Sequence, residues 1–113
     1  MSGSSLDQII ASTESLRQVF RKDLCAGASI VVKTHNSSYF ARREEDGQFT
    51  VRGGWFERKG KSPARTTIRG CTWGGSAIKV DIVAACGLRV EFGNRLLTSP
   101  VQKIFVFPPG FEN

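Results

Sequence analysis

A single histidine, one tyrosine, one methionine and three cysteines in 113 residues leave this sequence poorly supplied with the side chains of common catalytic and metal-binding chemistry. His35 stands alone in a turn-like Thr34-His35-Asn36-Ser37 stretch, where a solvated polar residue is the ordinary outcome. Cys25, Cys71 and Cys86 are widely spaced, so there is no C-x-x-C, no H-x-x-x-H and no zinc-ligand spacing. An odd number of cysteines is a poor disulfide framework, and free cysteine commonly acts as a small buried hydrophobe. A Cys–His pair assembled in space stays open, but nothing selects its cysteine.

Long apolar runs are missing too. No stretch approaches the roughly 20 apolar residues that a membrane-spanning helix requires, and Ile9-Ile10-Ala11 gives way at once to Ser12, Thr13 and Glu14. The expectation is a cytoplasmic protein without a membrane partner. Acidic residues are in short supply, 10 against 16 Lys and Arg. Glu44-Glu45-Asp46 precede a turn glycine, where carboxylates are usually solvated, and Asp81 sits between Val80 and Ile82, where alternation turns it to solvent. No carboxylate pair presents itself for general acid–base work. The glycine-rich stretch Gly70-Cys71-Thr72-Trp73-Gly74-Gly75-Ser76 lacks the G-x-x-x-x-G-K-[ST] spacing of a phosphate loop and opens no helix, so it reads as a bulge and a tight turn. No catalytic residue, metal ligand or cofactor is assigned, and a binding function is expected ahead of an enzymatic one.

What is present is unevenly distributed. From Met1 to Gly27 the cations Arg17, Arg21 and Lys22 cancel Asp7, Glu14 and Asp23, so the whole net charge of +6 falls in residues 28–113. The length suits one domain with a self-sufficient core. Leu6, Ile9, Ile10, Thr13, Leu16, Phe20 and Leu24 recur at spacings of three and four, which predicts an amphipathic helix over 5–24 that ends before Gly27. Its role is expected to be cover for the sheet.

Beyond Gly27 the period becomes extended. Strands are expected at Ser29–Thr34, Tyr39–Arg43, Gln48–Arg52, Thr66–Trp73 with a bulge at Gly70, Ile78–Val83, Leu88–Phe92 and Val101–Phe107, the last apolar on both faces. Asp46-Gly47 is the strongest hairpin signal, and Gly93-Asn94 marks another. Glu57–Arg65 has no apolar period and reads as an exposed loop. Six to seven short strands behind one N-terminal helix predict a mainly β (α+β) domain, a small antiparallel β-barrel or strongly curved sheet over 28–107, with a tail at 108–113.

The best functional constellation is basic and aromatic. Arg52, Arg58, Lys59, Lys61, Arg65 and Arg69, with Lys79 on the next strand, interleave with Trp55, Phe56 and Trp73. Cations on phosphates and aromatic rings on bases are the combination by which small β-domains hold nucleic acid. The expected nucleic-acid site is Arg58, Lys59, Lys61, Arg65 and Arg69 for phosphate, with Trp55 for stacking. Two other classes stand beside it. One is a protein-interaction or homo-oligomeric assembly module using the helix stripe or the last strand; the other is a sensor of a small anionic ligand or nucleotide at a barrel mouth.

Arg65-x-x-x-Arg69, Trp73-Gly74-Gly75-Ser76 and Gly87-Leu88-Arg89-Val90-Glu91-Phe92 together look like the cyclic-dinucleotide-binding PilZ barrel, which pairs an arginine motif with D/N-x-S-x-x-G. Thr72 and Gly74 stand where the Asp and Ser of that second motif would fall, so no site residue is carried over from the resemblance.

Overall fold

The computed structural model describes residues 15–74 and 77–110. Its strands are β1 (Gln18–Phe20), β2 (Ser29–Thr34), β3 (Ser38–Arg43), β4 (Phe49–Gly53), β5 (Ala64–Thr66), β6 (Ile68–Thr72), β7 (Ile82–Ala85), β8 (Arg89–Phe92) and β9 (Val101–Phe107). A short helix, α1 (Gly54–Arg58), follows β4, and a 3-10 turn occupies Arg21–Asp23. Every strand pairing is antiparallel. β5-β4-β3-β2-β9 form one five-stranded sheet, and β1–β7 and β6–β8 form two-stranded ribbons.

The mainly β, antiparallel class agrees with the sequence reading. Closure does not: among the described residues the large sheet ends at β5 and β9, which do not pair, so no barrel closes. The helix expected over 5–24 is also corrected. Its first part, 5–14, lies outside the described residues; the remainder is β1 and the 3-10 turn. Pairing explains the change, because Gln18, Val19 and Phe20 stand opposite Ala85, Ala84 and Ile82 of β7. The Arg21 guanidinium then fastens the turn, donating to the Val80 carbonyl from Nε and Nη2 at 2.9 and 2.7 Å and to the Ile68 carbonyl at 2.7 Å. Burial, and then the Arg43 charge, hold the Arg21 pKa below its ordinary value. These contacts lie 47 and 59 residues away in sequence, out of reach of any local helical pattern.

The other differences are smaller. The strand expected at Ile78–Val83 shifts to Ile82–Ala85, with only an isolated bridge joining Lys79 to Cys71. The loop expected at Glu57–Arg65 begins inside α1 and ends inside β5. Gly70 is a bulge as expected: the β6–β8 register shifts between Ile68 and Gly70, whose φ is 146°. The β2–β3–β4 meander and the alternation of buried Leu88, Val90 and Phe92 also hold.

The core lies between the inner face of the large sheet and the two ribbons. Ile30, Val32, Tyr39, Ala41, Phe49, Val51 and Ile104 face inward from the sheet, and Val83, Ala84, Val90 and Phe92 meet them from the ribbons. Phe56 enters from α1 edge-on to Phe92 at 5.3 Å, and Tyr39 packs on Phe92 at 5.5 Å. Rings in this geometry gain about 0.5–1.5 kcal/mol per pair beyond burial.

Candidate functional site

The basic loop is positioned by the turn between β4 and α1. Gly54 has a φ of 51°, and a Cβ there would run into the Tyr39 ring, so this position requires glycine for conformation and for space. The Tyr39 hydroxyl accepts a hydrogen bond from the Trp55 backbone N–H at 3.2 Å, and buried Phe56 anchors the helix. Arg58, Lys59 and Lys61 therefore project from a short, well-fixed support, all three exposed. Arg58 Nη1 donates to Ser37 Oγ at 2.8 Å, which ties the loop to the turn between β2 and β3.

Three of the residues expected to bind nucleic acid have partners within the protein. Arg65 donates to Asp46 at 2.7 Å and to Gln48 at 3.2 Å. The Arg65 hydrogen bond and the Gln48 backbone N–H hold the Asp46 carboxyl below its usual range, and Asp46 raises the Arg65 pKa in return. Arg69 donates to Glu91 at 2.7 Å. Arg65 is already ion-paired with the β3–β4 turn and Arg69 with β8, whereas Arg58, Lys59 and Lys61 pair with no carboxylate among the described residues. Trp55 is half-buried, lies edge-on to Phe56 at 5.3 Å, and carries the Lys61 ammonium 5.4 Å from its ring centroid. Its main contact is with the core.

A second basic and aromatic surface emerges from strand register. The residues of the large sheet that alternate away from the core form rows across it. One row runs Arg52 (β4), Phe40 (β3), Val31 (β2), Phe105 (β9). On one side of it lie Ser38, Lys33 and Lys103; on the other lie Arg65, Thr50, Arg42, Phe107 and Ser29, the last of which is buried. Phe40, Val31 and Phe105 are half-buried, and none of them belongs to the core cluster.

This outer face is electrically divided. At one end Glu44 accepts from Arg42 at 3.1 and 3.2 Å and from Thr50, and Asp46 neutralises Arg65. The Thr50 hydroxyl, more than Arg42, keeps the Glu44 carboxyl below its ordinary pKa. At the other end Lys33 and Lys103 stand directly opposite one another, both exposed, with Arg52 in the next row. None of these three has an ion-pair partner among the described residues. Directly opposed like charges cost a sheet about 0.2–1 kcal/mol. The β2–β3 turn that Arg58 reaches closes this same end of the strands.

The residues that the sequence reading did not single out are thus Lys33, Phe40, Lys103 and Phe105; Arg52 stood in the basic constellation but outside the expected site. Their signal was visible as apolar residues on both faces of β9 and as Phe40 alternating with Tyr39 and Ala41. Choosing the inward set, however, required the register of five paired strands.

Among the described residues no group of three or more His, Cys, Asp or Glu is placed to hold a metal ion, and no helix is long and apolar enough to cross a membrane. The chain matches no protein-family model, no curated protein and no solved structure.

Proposed function

We propose that this protein is a non-enzymatic binding module that holds single-stranded nucleic acid across the outer face of its five-stranded sheet. The observation that supports this best is the row Arg52–Phe40–Val31–Phe105 beside the opposed pair Lys33 and Lys103, an aromatic row edged by cations that pair with no carboxylate among the described residues. Phe40 and Phe105 lie on strands two apart, roughly 10 Å at ordinary strand spacing, too far to meet two bases stacked on each other. Such rings receive splayed bases, which only an unpaired strand offers. Lys33, Lys103 and Arg52 take the neighbouring phosphates, and Arg58, Lys59 and Lys61 continue the cationic track past the β2–β3 turn. Arg65 and Arg69 belong to the ion-paired framework in this reading, and Trp55 supports the loop.

Fluorescence anisotropy of labelled single- and double-stranded DNA and RNA over a salt series tests this. Three to six phosphate contacts give a slope of about −2 to −4 in log affinity against log salt for single strands. Phe40→Ala with Phe105→Ala weakens binding by about 10- to 100-fold per ring at unchanged salt slope. Replacing Arg58, Lys59 and Lys61 with Glu flattens the slope. Equal affinity for duplex and single strand, or no binding at low salt, overturns the proposal. β9 ends the large sheet and is apolar on both faces, although its outer edge already bonds Leu16, Gly87 and Leu88 through Ile104 and Val101; concentration-dependent association that ignores salt would favour an assembly module through its exposed face.

A further inference from the structure

The most exposed large apolar side chain among the described residues lies outside the five-stranded sheet. Trp73, just after β6, is 69% exposed, and the Lys79 ammonium stands 5.2 Å from its ring centroid. Surface tryptophans are uncommon because a solvated indole forgoes about as much burial energy as any side chain can gain. This one borders a groove of about 470 Å³. Ile82, Ala85 and Leu88 give it an apolar floor, and Arg17, Gln18 and Lys79 give it polar walls.

The surrounding backbone fixes this arrangement. Thr72 Oγ1 donates to the Ala77 carbonyl at 2.6 Å and accepts from the Gly74 N–H at 3.1 Å, closing the base of the Trp73 turn. Lys79 exchanges backbone hydrogen bonds with Cys71 at 2.7 and 3.2 Å, so its side chain departs from a tethered position. On the far wall, the Arg17 carbonyl accepts from the Cys86 N–H at 2.8 Å. Among the described residues neither Arg17 nor Lys79 has an ion-pair partner, and no Asp or Glu lines the groove.

We infer that this groove is a second binding site, for a small planar aromatic anion of the size of a mononucleotide. The indole and apolar floor take the ring, and Arg17 and Lys79 take the negative group. Its volume falls in the range of small-molecule sites, which are mainly apolar with a few placed polar groups. Charge complementarity selects the ligand class: a neutral aromatic leaves both cations unanswered, and a bare anion leaves the indole and floor in water. The groove shares no residue with the outer sheet face, so this inference stands or falls apart from the function proposed above.

The test uses the full chain carrying Trp55→Phe, which leaves Trp73 as the sole tryptophan, and follows its fluorescence during titration with AMP, adenosine and inorganic phosphate. Saturable quenching by AMP is expected, with adenosine and phosphate each at least ~10-fold weaker, because each supplies only one half of the recognition. Lys79→Ala and Arg17→Ala should each weaken AMP by about 10-fold or more and leave adenosine unchanged, as loss of one charge-assisted contact requires. Both substitutions remove only exposed atoms beyond the Cβ and leave the backbone bonds in place. Heteronuclear NMR shifts of Gln18 and Leu88 provide a second readout if the Trp55 variant folds poorly. Absence of saturable quenching and of shifts, equal affinity for adenosine and AMP, or indifference of AMP to both substitutions would overturn the inference.

Discussion

Cys71 shows how completely burial can silence a side chain. It is 0% exposed on β6, and burial pushes its thiol up to about 11. Cys25 is exposed and Cys86 half-buried, its Sγ 3.4 Å from both the Leu16 and the Gln102 carbonyl, either of which can accept its single S–H. Because the thiolate is the nucleophile, native labelling with a disulfide reagent at pH 8 should modify Cys25 first and leave Cys71 untouched until the chain unfolds. Rapid labelling of all three native thiols would contradict this burial. A raised pKa also stabilises the fold only below the unfolded thiol value of about 8.5, so this contribution declines as pH rises toward 11. At Gly70 the constraint is steric: its φ is 146°, and an added Cβ would strike the Lys79 carbonyl oxygen. Gly70→Ala should lose more than about 1 kcal/mol in denaturant melts. An unchanged midpoint would mean that the bulge can relax.

At the scale of elements, α1 is anchored chiefly by Phe56, its one buried residue. Phe56 is 2% exposed and meets Tyr39, Trp55 and Phe92, so Phe56→Ala should cost about 3–5 kcal/mol and release the basic loop with the helix. A loss under about 1 kcal/mol by chemical denaturation would show that the helix is not docked through this ring. Elements whose signal is local were legible in the sequence. The meander follows from β-branched runs around Asp46-Gly47, the bulge from an isolated glycine in an apolar strand, and β8 from strict alternation. The segment 15–24 was misread because Leu16, Phe20 and Leu24 imitate a helical stripe, whereas pairing with β7 and the long-range grip of Arg21 decide its conformation. The site divides in the same manner. The exposed basic loop could be read from composition, but the ion pairs of Arg65 and Arg69 join residues 19 and 22 positions apart and required the sheet registers.

On the whole-molecule scale the outer sheet face has a neutralised end and a cationic end, and each makes a separable prediction. At the neutralised end, Glu44 and Asp46 titrate below their ordinary values, held there chiefly by Thr50 and by Arg65 respectively. A depressed carboxyl pKa contributes stability above its unfolded value, about 4, and loses it as pH falls through the folded value. Thermal melts should therefore fall below about pH 4, and Glu44→Gln with Asp46→Asn should flatten that limb while lowering stability at pH 7. A limb of unchanged steepness would place the acid sensitivity elsewhere.

The cationic end carries the more discriminating test, because there stability and the proposed function oppose one another. Lys33 and Lys103 face each other across β2 and β9, and no carboxylate among the described residues pairs with either. If the pair serves only solubility, removing one lysine changes little beyond the local repulsion. If it holds phosphate, the repulsion is a cost that the ligand removes on binding. Lys103→Thr, which also suits a strand, should raise stability by about 0.2–1 kcal/mol at low salt, and this gain should vanish as salt screens the repulsion. The same substitution should weaken single-stranded nucleic acid at least several-fold and reduce the salt slope by about 0.7, the share of one phosphate contact. A variant that is stabilised and binds as before would remove this end of the sheet from the interface. One that is destabilised and binds less would show that Lys103 supports the strand, and its lost affinity would follow from lost structure. Only the opposed outcome, firmer fold and weaker binding, assigns the uncompensated charge to a ligand.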